Sequence, residues 1–424
     1  MAFLTQSVTG THDILPEECS RWQQLEARIR KICEIYQYGE IRTPMFEYTE
    51  LFLRGIGETT DVVQKEMYTF MVGDKSITLR PEATASTVRS YLENKMYGLP
   101  SQPVKLYYMG PMFRHDKPQA GRYRQFHQFG IEVLGSQAAT SDAEIISLAY
   151  EFLTELGLEG LNLYINSVGC PKCRPAYQEK LREYFTPHME KLCQNCVGRL
   201  DKNPLRLLDC KEPGCQALGN DAPKLLECLC EECQDHFGEL KELLGGAGIP
   251  FTINQKLVRG LDYYTKTAFE IQYPPLGSQS AVCGGGRYDG LIQECGGDFT
   301  PSVGFAMGIE RILIALDQQN LLPPKKQSVS FFVMPLGAKA KPKCFELVQK
   351  IRKLGMSAEI DLMNRGVKGQ MKQANRQNAN WALLLGDNEL EQGMITCKDM
   401  IGGDQRVISL ADFENWIESL REEM

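Results

Sequence analysis

The stretch "RYRQFHQFGIEVLG", residues 122–135, alternates between two kinds of side chain without a break. Its even-numbered positions are mostly polar or glycine, whereas the odd-numbered positions from Tyr123 to Val133 are largely apolar. Successive side chains of a β-strand point to opposite faces, so this pattern predicts a long strand with one polar and one apolar face.

Gln128 and Glu132 share the predicted polar face, with Gly130 between them. At roughly 3.3 Å per residue they stand about 13 Å apart along the strand. An amino acid with a polar side chain, held at both ends by hydrogen bonds of about 3 Å, fills a gap of that size. An amphipathic strand with one solvated face explains the same alternation.

Other elements are predicted on both sides of this strand. Helices are expected after Asp13, on the spacing of Trp22, Leu25, Ile29, Ile32 and Tyr36, and again at 138–160. Further strands are expected at 38–52, interrupted by Pro44, and at 76–80, 104–110, 264–272 and 280–291.

The run "TPSVGFAMGIERILIAL", residues 300–316, leads into a helix and carries Gly304 and Gly308 four residues apart. Small residues at that spacing let a ligand or a neighbouring backbone approach closely. Packing of a helix against a sheet is an alternative explanation for both glycines.

The C-terminal part reads as a separate α/β domain. The segment "DQQNLLPPKKQSVS" has the paired prolines and lysines of a linker, which we place at 323–328. Strand patterns alternate with helix patterns beyond it, so residues 329–424 are predicted to form a compact α/β domain. Residues 1–322 form the larger domain, and neither glycine-rich run of the chain matches a phosphate-binding loop.

Composition narrows the class of protein. The chain has 424 residues, 43% hydrophobic and 24% charged, with a net charge of −7. The acidic balance argues against indiscriminate nucleic-acid binding, but residues 337–376 carry ten Lys or Arg against three acids. That basic segment is either a solvated helix face or a local binding surface. No secretion signal or membrane-spanning run is evident, so a cytoplasmic protein without membrane contact is expected.

Nine of the fifteen cysteines lie between Cys170 and Cys233, within a segment of about 170–240 that reads as a small inserted helical module. Eight of them form sequence pairs: Cys170 with Cys173, Cys193 with Cys196, Cys210 with Cys215, and Cys230 with Cys233. Closely spaced pairs suit tetrahedral zinc, and eight cysteines match two four-cysteine sites whose pairing the sequence leaves open. Reduced thiols and redox-active pairs are the alternatives.

The segment "KLVRGLDYYTKTAFE", residues 256–270, combines a glycine turn with Arg259 and two adjacent tyrosines. A β-hairpin with a solvated arginine would explain this combination without any functional site.

Several of these segments together resemble the class II aminoacyl-tRNA synthetases. "GEIRTPMFEYTELF" (39–52) is similar to the first class motif, residues 110–135 to the second, and "GFAMGIERI" (304–312) to the third. "VRGLDYY" (258–264) and "CGGGRYDGL" (283–291), supported by "LRPEAT" (79–84), resemble signatures of the histidyl-tRNA synthetase family. The resemblance implies an α+β catalytic domain with an antiparallel sheet flanked by helices, a homodimer built through the first motif, and a C-terminal α/β domain that reads the anticodon.

The resemblance also assigns roles in the activation of histidine by ATP. Arg114 would hold the α-phosphate, Arg311 the γ-phosphate, and Arg259 both the α-phosphate and the histidine carboxylate, with Mg²⁺ bridging phosphates. Asp116 and Arg122 complete the ATP-binding set. Asp116 replaces a glutamate usual in the second motif, which weakens the expected contact with the adenine amino group.

Histidine itself would be bound at both of its ends. The resemblance places Glu82, Thr84 and Gln128 around the α-amino group, Glu132 and Tyr264 on the imidazole, and Tyr263 and Tyr288 along the pocket wall. The acceptor end of the histidine tRNA would meet Lys117, Gln119 and Arg122, and the basic 337–376 segment would meet the anticodon stem.

Two other functions fit parts of the sequence. Non-catalytic relatives that regulate the first enzyme of histidine biosynthesis share the scaffold, but they are expected to lack the C-terminal domain and several substrate-binding residues. A zinc-dependent nucleic-acid-binding module would make the cysteine-rich segment the functional centre.

Overall fold

The computed structural model describes residues 5–57, 60, 62–208, 210, 212–258, 261, 263–324 and 328–423. Two compact units account for the chain, one formed mainly by Trp22–Pro323 and the other by Pro324–Met424. Arg259, Gly260 and Asp262 lie outside the described residues, as does 325–327 of the predicted linker.

The larger unit is built on eleven strands in its described part. They are β1 (Gly39–Glu40), β2 (Phe46–Tyr48), β3 (Tyr68–Val72), β4 (Lys75–Leu79), β5 (Val104–Phe113), β6 (Gln125–Leu134), β7 (Asn162–Ser167), β8 (Thr252–Ile253), β9 (Thr265–Gln272), β10 (Ala281–Arg287) and β11 (Ser302–Gly308). Eight of them form one sheet in the order β1-β5-β6-β11-β10-β9-β7-β8. The six central strands pair antiparallel and only the two edge pairs are parallel.

The α-helices of this unit are α1 (Pro16–Ile35), α2 (Thr49–Ile56), α3 (Thr84–Glu93), α4 (Ala139–Glu155), α5 (Arg174–Phe185), α6 (Gln194–Lys202), α7 (Pro213–Asn220), α8 (Glu231–Gly246), α9 (Leu291–Glu294) and α10 (Ile309–Gln318). Apolar faces of α1, α4 and α10 pack on one side of the large sheet. Phe129 on β6 meets the rings of Phe152 and Phe305 edge-on, at centroid distances of 5.7 and 5.6 Å. The odd positions of the opening stretch therefore face the core, and an antiparallel sheet flanked by helices confirms the predicted fold class.

Several details differ from the sequence prediction. Thr49 to Phe52, which the sequence pattern assigned to a strand, begin helix α2 instead. Strand β6 begins at Gln125, three residues later than the alternation suggests, because the backbone N–H groups of Arg122 and Arg124 bind Gln119 and Gly10 instead of a neighbouring strand. Gly304 and Gly308 both lie on strand β11, and the helix begins only at Ile309.

The region of the predicted first class motif forms a second, smaller sheet in the order β2-β4-β3. Pro44 lies between β1 and β2, where it interrupts no strand. Tyr48 and Phe70 both pair with Ile77, so with Phe46 and Val72 they share one face of this sheet. All four side chains are exposed, and this face is called the small-sheet face below.

The cysteine-rich segment lies between β7 and β8 and folds as α5 to α8 joined by short helical turns. Its apolar residues form one cluster with Tyr263, Tyr264 and Tyr288 and with residues of α3, the large sheet and α9.

The smaller unit is an α/β domain with a five-stranded sheet. Its elements are β12 (Phe331–Pro335), β13 (Ala358–Ile360), β14 (Trp381–Leu385), β15 (Met394–Asp399), β16 (Gln405–Ser409), α11 (Lys341–Lys353), α12 (Val367–Arg376), α13 (Asp387–Glu391) and α14 (Phe413–Glu423). The strand order is β13-β12-β14-β15-β16, parallel over the first three strands and antiparallel over the last two pairs. This confirms the predicted C-terminal α/β class.

No helix in the described part of the chain combines the length and apolar character needed to cross a membrane.

Candidate active site

A pocket of about 360 Å³ lies on the polar face of the large sheet, against the N-terminus of α3. The structure brings eleven of the predicted site residues to its wall: Glu82, Thr84, Arg114, Asp116, Arg122, Gln128, Glu132, Tyr263, Tyr264, Tyr288 and Arg311. Residues more than two hundred positions apart in the chain therefore meet in one cavity. The predicted role of Arg259 falls outside the described residues.

Strand register explains how Gln128 and Glu132 gain access to this pocket. On the neighbouring strand β11, Gln128 pairs with Gly308 and Glu132 pairs with Gly304. A Cβ atom added at Gly304 would lie 2.8 Å from Glu132 Cδ, far inside normal contact. The missing side chain on β11 thus leaves room for the carboxylate, which favours close approach as the explanation of Gly304. A Cβ atom at Gly308 would make only ordinary contacts with Arg311, so that glycine stays unexplained.

Glu132 is a buried carboxylate with several hydroxyl donors. Thr84 Oγ1 donates to Glu132 Oε1 over 2.7 Å, and the Tyr288 hydroxyl donates to Glu132 Oε2. Burial raises the pKa of Glu132 to about 8, against the opposing effect of these hydroxyl groups and with a contribution from the nearby charge of Glu82.

Glu82 is the second buried carboxylate. Its Oε2 accepts the backbone N–H of Thr84 over 2.6 Å, and its Oε1 accepts that of Ala85 over 3.0 Å. These donors belong to the first turn of α3, where backbone N–H groups have no partner within the helix. Burial nevertheless raises the pKa of Glu82, although the N–H groups and Arg114 oppose the shift.

Gln128 offers an unused acceptor. Its side-chain Oε1 is buried and accepts no hydrogen bond from any residue that the structure describes. A buried amide oxygen without a donor is costly, and a bound ligand with an N–H group would satisfy it.

Arginines make another part of the pocket strongly cationic. Arg311 Nε donates to the carbonyl of Gly121 over 3.0 Å, and its Nη1 donates to the carbonyl of Ala281 over 2.8 Å. Burial lowers the pKa of Arg311, and the positive charges of Arg122 and Arg114 lower it further. Guanidinium groups that backbone carbonyls hold in place form a site that can bind an anion such as a phosphate.

Asp116 and Arg122 form an ion pair at the pocket rim. Glu66 Oε1 lies 3.8 Å from the same guanidinium, and the Asp116 carboxylate also accepts the backbone N–H of Lys117 over 2.7 Å. Lys117 and Gln119 are exposed and do not line the pocket. The loop between β5 and β6 therefore presents two predicted tRNA contacts to solvent.

Three tyrosines form an aromatic wall. The rings of Tyr263 and Tyr264 lie 4.7 Å apart between centroids, and those of Tyr263 and Tyr288 lie 5.6 Å apart. All three side chains are buried. This wall gives a planar ligand an apolar surface beside the polar group of Glu132.

Sequence reasoning missed two residues of the pocket. Tyr108 on β5 pairs with Gly130, and its hydroxyl contacts Glu132. Glu310 is buried at the pocket wall, where it accepts the backbone N–H of His127 over 2.8 Å. Gly130 was the available signal for Tyr108, because a glycine between two polar strand positions indicates that another side chain crosses there.

Arg287, from the "CGGGRYDGL" signature, does not line the pocket. It is fully buried and pairs with the carboxylate of Asp142 on α4, while its Nη1 donates to the backbone carbonyl of Ser136 over 2.6 Å. His236 on α8 reaches the same carboxylate at 3.3 Å. Part of this signature is therefore structural.

The eight paired cysteines gather into two groups of four. We call Cys170, Cys173, Cys230 and Cys233 the root centre, and Cys193, Cys196, Cys210 and Cys215 the distal centre. Within each centre all four sulfur atoms lie within 4.8 Å of one another. The structure thus gives the pairing that the sequence left open.

A family model described as histidyl-tRNA synthetase matches residues 10–312, and one described as an anticodon binding domain matches residues 330–420.

Curated relatives match over nearly their whole length. A histidine–tRNA ligase of Desulforamulus reducens is 52% identical over 417 residues, covering 98% of this chain and 99% of the relative. A histidine–tRNA ligase of Desulfitobacterium hafniense is 53% identical over 410 residues, covering 96% of each. The crystal structure of the apo histidyl-tRNA synthetase of S. aureus is similar with a TM-score of 0.84 and 39% identity, covering 98% of this chain and 100% of that one.

Proposed function

This chain belongs to the histidyl-tRNA synthetase family, and we propose that the pocket beside β6 and β11 is where it carries out histidine–tRNA ligation. The protein is an ATP-dependent aminoacyl-tRNA ligase. It activates histidine with ATP to histidyl-adenylate and pyrophosphate, and it then transfers histidine to the 3′-terminal ribose of its tRNA. The observation that carries the placement is a single cavity lined by three buried carboxylates, an aromatic wall and three arginines.

Activation joins two anions, the histidine carboxylate and the α-phosphate of ATP. The carboxylate is ionised at neutral pH, so the step needs fixed positive charge and not a general base. We assign Arg114 to the α-phosphate and Arg311 to the γ-phosphate, and we assign Arg259 to both the α-phosphate and the substrate carboxylate from the family resemblance. Removing one such donor typically costs about 3–4 kcal/mol of transition-state stabilisation.

Mg²⁺ belongs to this reaction as the ion that neutralises phosphate charge when bound. It prefers oxygen ligands, and the pocket wall supplies the carboxylate of Glu310. Arg311 lies within the electrostatic influence of Glu310 and Glu270, so acidic oxygens and the phosphate-binding guanidinium occur together. We propose that Glu310 would hold the ion together with the phosphates.

Histidine recognition follows from the polar groups on the sheet. The buried acceptor of Gln128 and the carboxylate of Glu82 suit the α-amino group, with Thr84 between Glu82 and Glu132. Glu132 and Tyr264 suit the imidazole, beside Tyr263 and Tyr288. An apolar amino acid would displace water from Glu132 without offering it an N–H donor, which is how such a site rejects near-isosteres.

The remaining ATP and tRNA contacts are proposed at the pocket rim. Asp116 and Arg122 would exchange their mutual ion pair for contacts with the adenine end of ATP. Lys117 and Gln119, exposed on the same loop, would meet the acceptor end of the tRNA, with Arg122 beside them. Most contacts of this kind go to phosphate and sugar.

We propose zinc as a structural ion of the cysteine-rich module. Thiolate sulfur is a favoured zinc ligand, and the four sulfurs of each centre are close enough to share one ion. Activation chemistry does not require these cysteines.

Further parts of the proposal concern assembly and place of action. The exposed apolar small-sheet face, in the region of the first class motif, suits a homodimer interface. The domain limits of 1–322 with its insertion at about 170–240, the linker 323–328 and the anticodon-binding domain 329–424 remain our assignment, as does a cytoplasmic location.

Exchange of labelled pyrophosphate into ATP tests the activation step directly. We expect exchange with histidine and not with other amino acids. Arg259→Ala and Arg311→Ala should each abolish exchange while folding and tRNA binding persist. Arg28→Ala, at an exposed side chain of α1, is the matched control and should behave like the parent. Well-folded protein without histidine-dependent exchange would overturn the proposal.

A further inference from the structure

The root and distal centres have the spacing of zinc tetrahedra. Cys170 Sγ lies 3.7 Å from Cys173 Sγ and 3.8 Å from Cys230 Sγ, and Cys193 Sγ lies 3.8 Å from Cys210 Sγ. A disulfide would bring two sulfurs to about 2.05 Å. Four sulfurs at about 2.3 Å from a tetrahedral zinc stand about 3.8 Å from one another. The distances therefore fit shared ions and not sulfur–sulfur bonds.

Backbone N–H groups stabilise the negative charge of the thiolates that such sites require. The N–H of Cys230 donates to Cys173 Sγ over 3.0 Å, and the N–H of Cys193 donates to Cys215 Sγ over 3.3 Å. Hydrogen bonds of this kind stabilise a thiolate, the form of cysteine that binds zinc. Cys228, the ninth cysteine of the segment, belongs to neither centre, and its sulfur instead receives a hydrogen bond from Lys180 over 3.3 Å.

The root centre joins the two ends of the module. Its first cysteine pair follows β7 and its second pair stands at the start of α8. The distal centre lies wholly within the module, between α5 and the first turn of α7. Loss of the root ion would thus release the base of the module, whereas loss of the distal ion would loosen only its interior.

Lys266 connects the candidate active site to both cysteine pairs of the root centre. Its carbonyl accepts the N–H of Val168 over 2.6 Å, and its own N–H donates to the carbonyl of Gly169, next to Cys170, over 2.9 Å. Its ammonium group donates to Glu232, which stands between Cys230 and Cys233, over 2.8 Å.

The backbone of Lys266 has a conformation that depends on these contacts. Its φ of 49° lies in the left-handed region, which residues with side chains rarely adopt. Such conformations persist where the surrounding structure fixes them. Lys266 follows Tyr264 by two residues, so the same support holds the end of the aromatic wall in place.

We propose that the module binds two zinc ions, one in the root centre and one in the distal centre, and that the root ion fixes Lys266 and with it Tyr263 and Tyr264. The metal assignment stands on the sulfur geometry alone. The coupling to histidine binding rests on the proposed function of the pocket.

Metal content tests the assignment. Protein purified without chelator should contain two zinc ions per chain by elemental mass spectrometry. The Cys173→Ser/Cys233→Ser variant and the Cys196→Ser/Cys215→Ser variant should each retain one, and the control Cys228→Ser should retain both. A parent without zinc, or a Cys228→Ser variant that loses an ion, would overturn the assignment.

Cobalt substitution keeps the test decisive where a serine variant fails to fold. Two Co²⁺ ions per parent chain should give the intense sulfur-to-metal absorption of tetrahedral four-thiolate sites. Eight thiols should also resist a thiol reagent until the metal is released. Rapid modification of all fifteen cysteines in the folded parent would contradict the proposal.

Kinetics then test the coupling. In pyrophosphate exchange the root variant should raise the KM for histidine by about tenfold, equivalent to about 1.4 kcal/mol, with the KM for ATP nearly unchanged. The distal variant should leave both constants unchanged. Glu232→Gln, which keeps all ligands, should retain two zinc ions and still raise the KM for histidine. Equal KM values in the root and distal variants would refute the coupling, whereas a parent without any exchange would refute the proposed function and leave the metal count intact.

Discussion

Thr84 Oγ1 donates a hydrogen bond to Glu132 Oε1 over 2.7 Å, while the backbone N–H of Thr84 donates to Glu82 Oε2 over 2.6 Å. One residue at the start of α3 therefore contacts both of the buried carboxylates that are proposed to bind histidine. Because α3 and β6 are distant in sequence, this contact fixes the relative position of the groups proposed to bind the two ends of histidine.

Glu132→Gln should increase stability at alkaline pH. The pKa of Glu132 is about 8 in the folded protein, above its ordinary value of 4.5. The folded state thus holds this proton more tightly than the unfolded state, so the free energy of unfolding falls as the pH rises from about 4.5 to 8. We expect Glu132→Gln to exceed the parent by on the order of 1–3 kcal/mol at pH 8.5 and by less at pH 5.

Chemical denaturation at both pH values measures the difference. Glu50→Gln, at an 81% exposed side chain, is the control and should change neither value. The same Glu132→Gln variant should bind histidine at least about tenfold more weakly, because a charge-assisted hydrogen bond is lost. Unchanged histidine affinity would remove Glu132 from the imidazole site.

Gly130→Ala should narrow the pocket by displacing the ring of Tyr108. A Cβ atom at this position would lie 2.7 Å from Tyr108 Cε2, so the ring must move. We expect a loss of about 1–3 kcal/mol in stability from overpacking, together with a higher KM for histidine. Gly238→Ala is the matched control, because nothing lies within 4 Å of the added atom in helix α8. That change should stabilise the protein by about 0.5–1 kcal/mol, and thermal unfolding combined with exchange kinetics distinguishes the two variants.

Local pattern was enough to place Gln128 and Glu132 on one face, because the period of a strand is fixed by its backbone. It could not show that Gly304 and Gly308 are their neighbours, since that depends on the pairing of strands about 170 residues apart in the chain. The pairing of the cysteines is hidden for the same reason.

The burial of charged residues could not be predicted from the sequence either. Arg287 stands in a glycine-rich signature with no local sign of Asp142, its partner on α4. The boundary at Gln125 was missed because hydrogen bonds to Gly10 and Gln119, which no alternation records, hold the preceding residues in a loop. The sequence pattern predicted well which face of a strand or helix is polar, but it predicted poorly which distant residues contact each other.

Asp142→Asn should destabilise the fold strongly. Arg287 and Asp142 are both fully buried; burial raises the pKa of Asp142, but Arg287 and His236 together outweigh it and lower that pKa. Breaking such a pair typically costs about 3–5 kcal/mol, because a buried charge is left without compensation. The carboxylate contributes its stability above its unfolded pKa, so the difference between variant and parent should shrink as the pH falls through the lowered folded value.

Urea unfolding at neutral and acidic pH measures both effects. Glu34→Gln removes the exposed pair with Lys31 and should cost no more than about 1 kcal/mol. If Asp142→Asn cost as little as this surface control, the buried pair would not be the structural element inferred from the contacts of Arg287.

Phe46→Glu should convert a dimer into monomers. Phe46, Tyr48, Phe70 and Val72 share the small-sheet face, with 57%, 55%, 45% and 58% of their surfaces exposed in the single chain. Covering that apolar surface with a second copy removes it from water, and a carboxylate within it would have to be desolvated without a partner. Sedimentation velocity at micromolar concentration should show a dimer for the parent and a monomer for the variant. Val407→Glu, which places the same charge at a 57% exposed apolar position of β16, should remain dimeric. Identical sedimentation of parent and Phe46→Glu would move the proposed interface away from the small-sheet face.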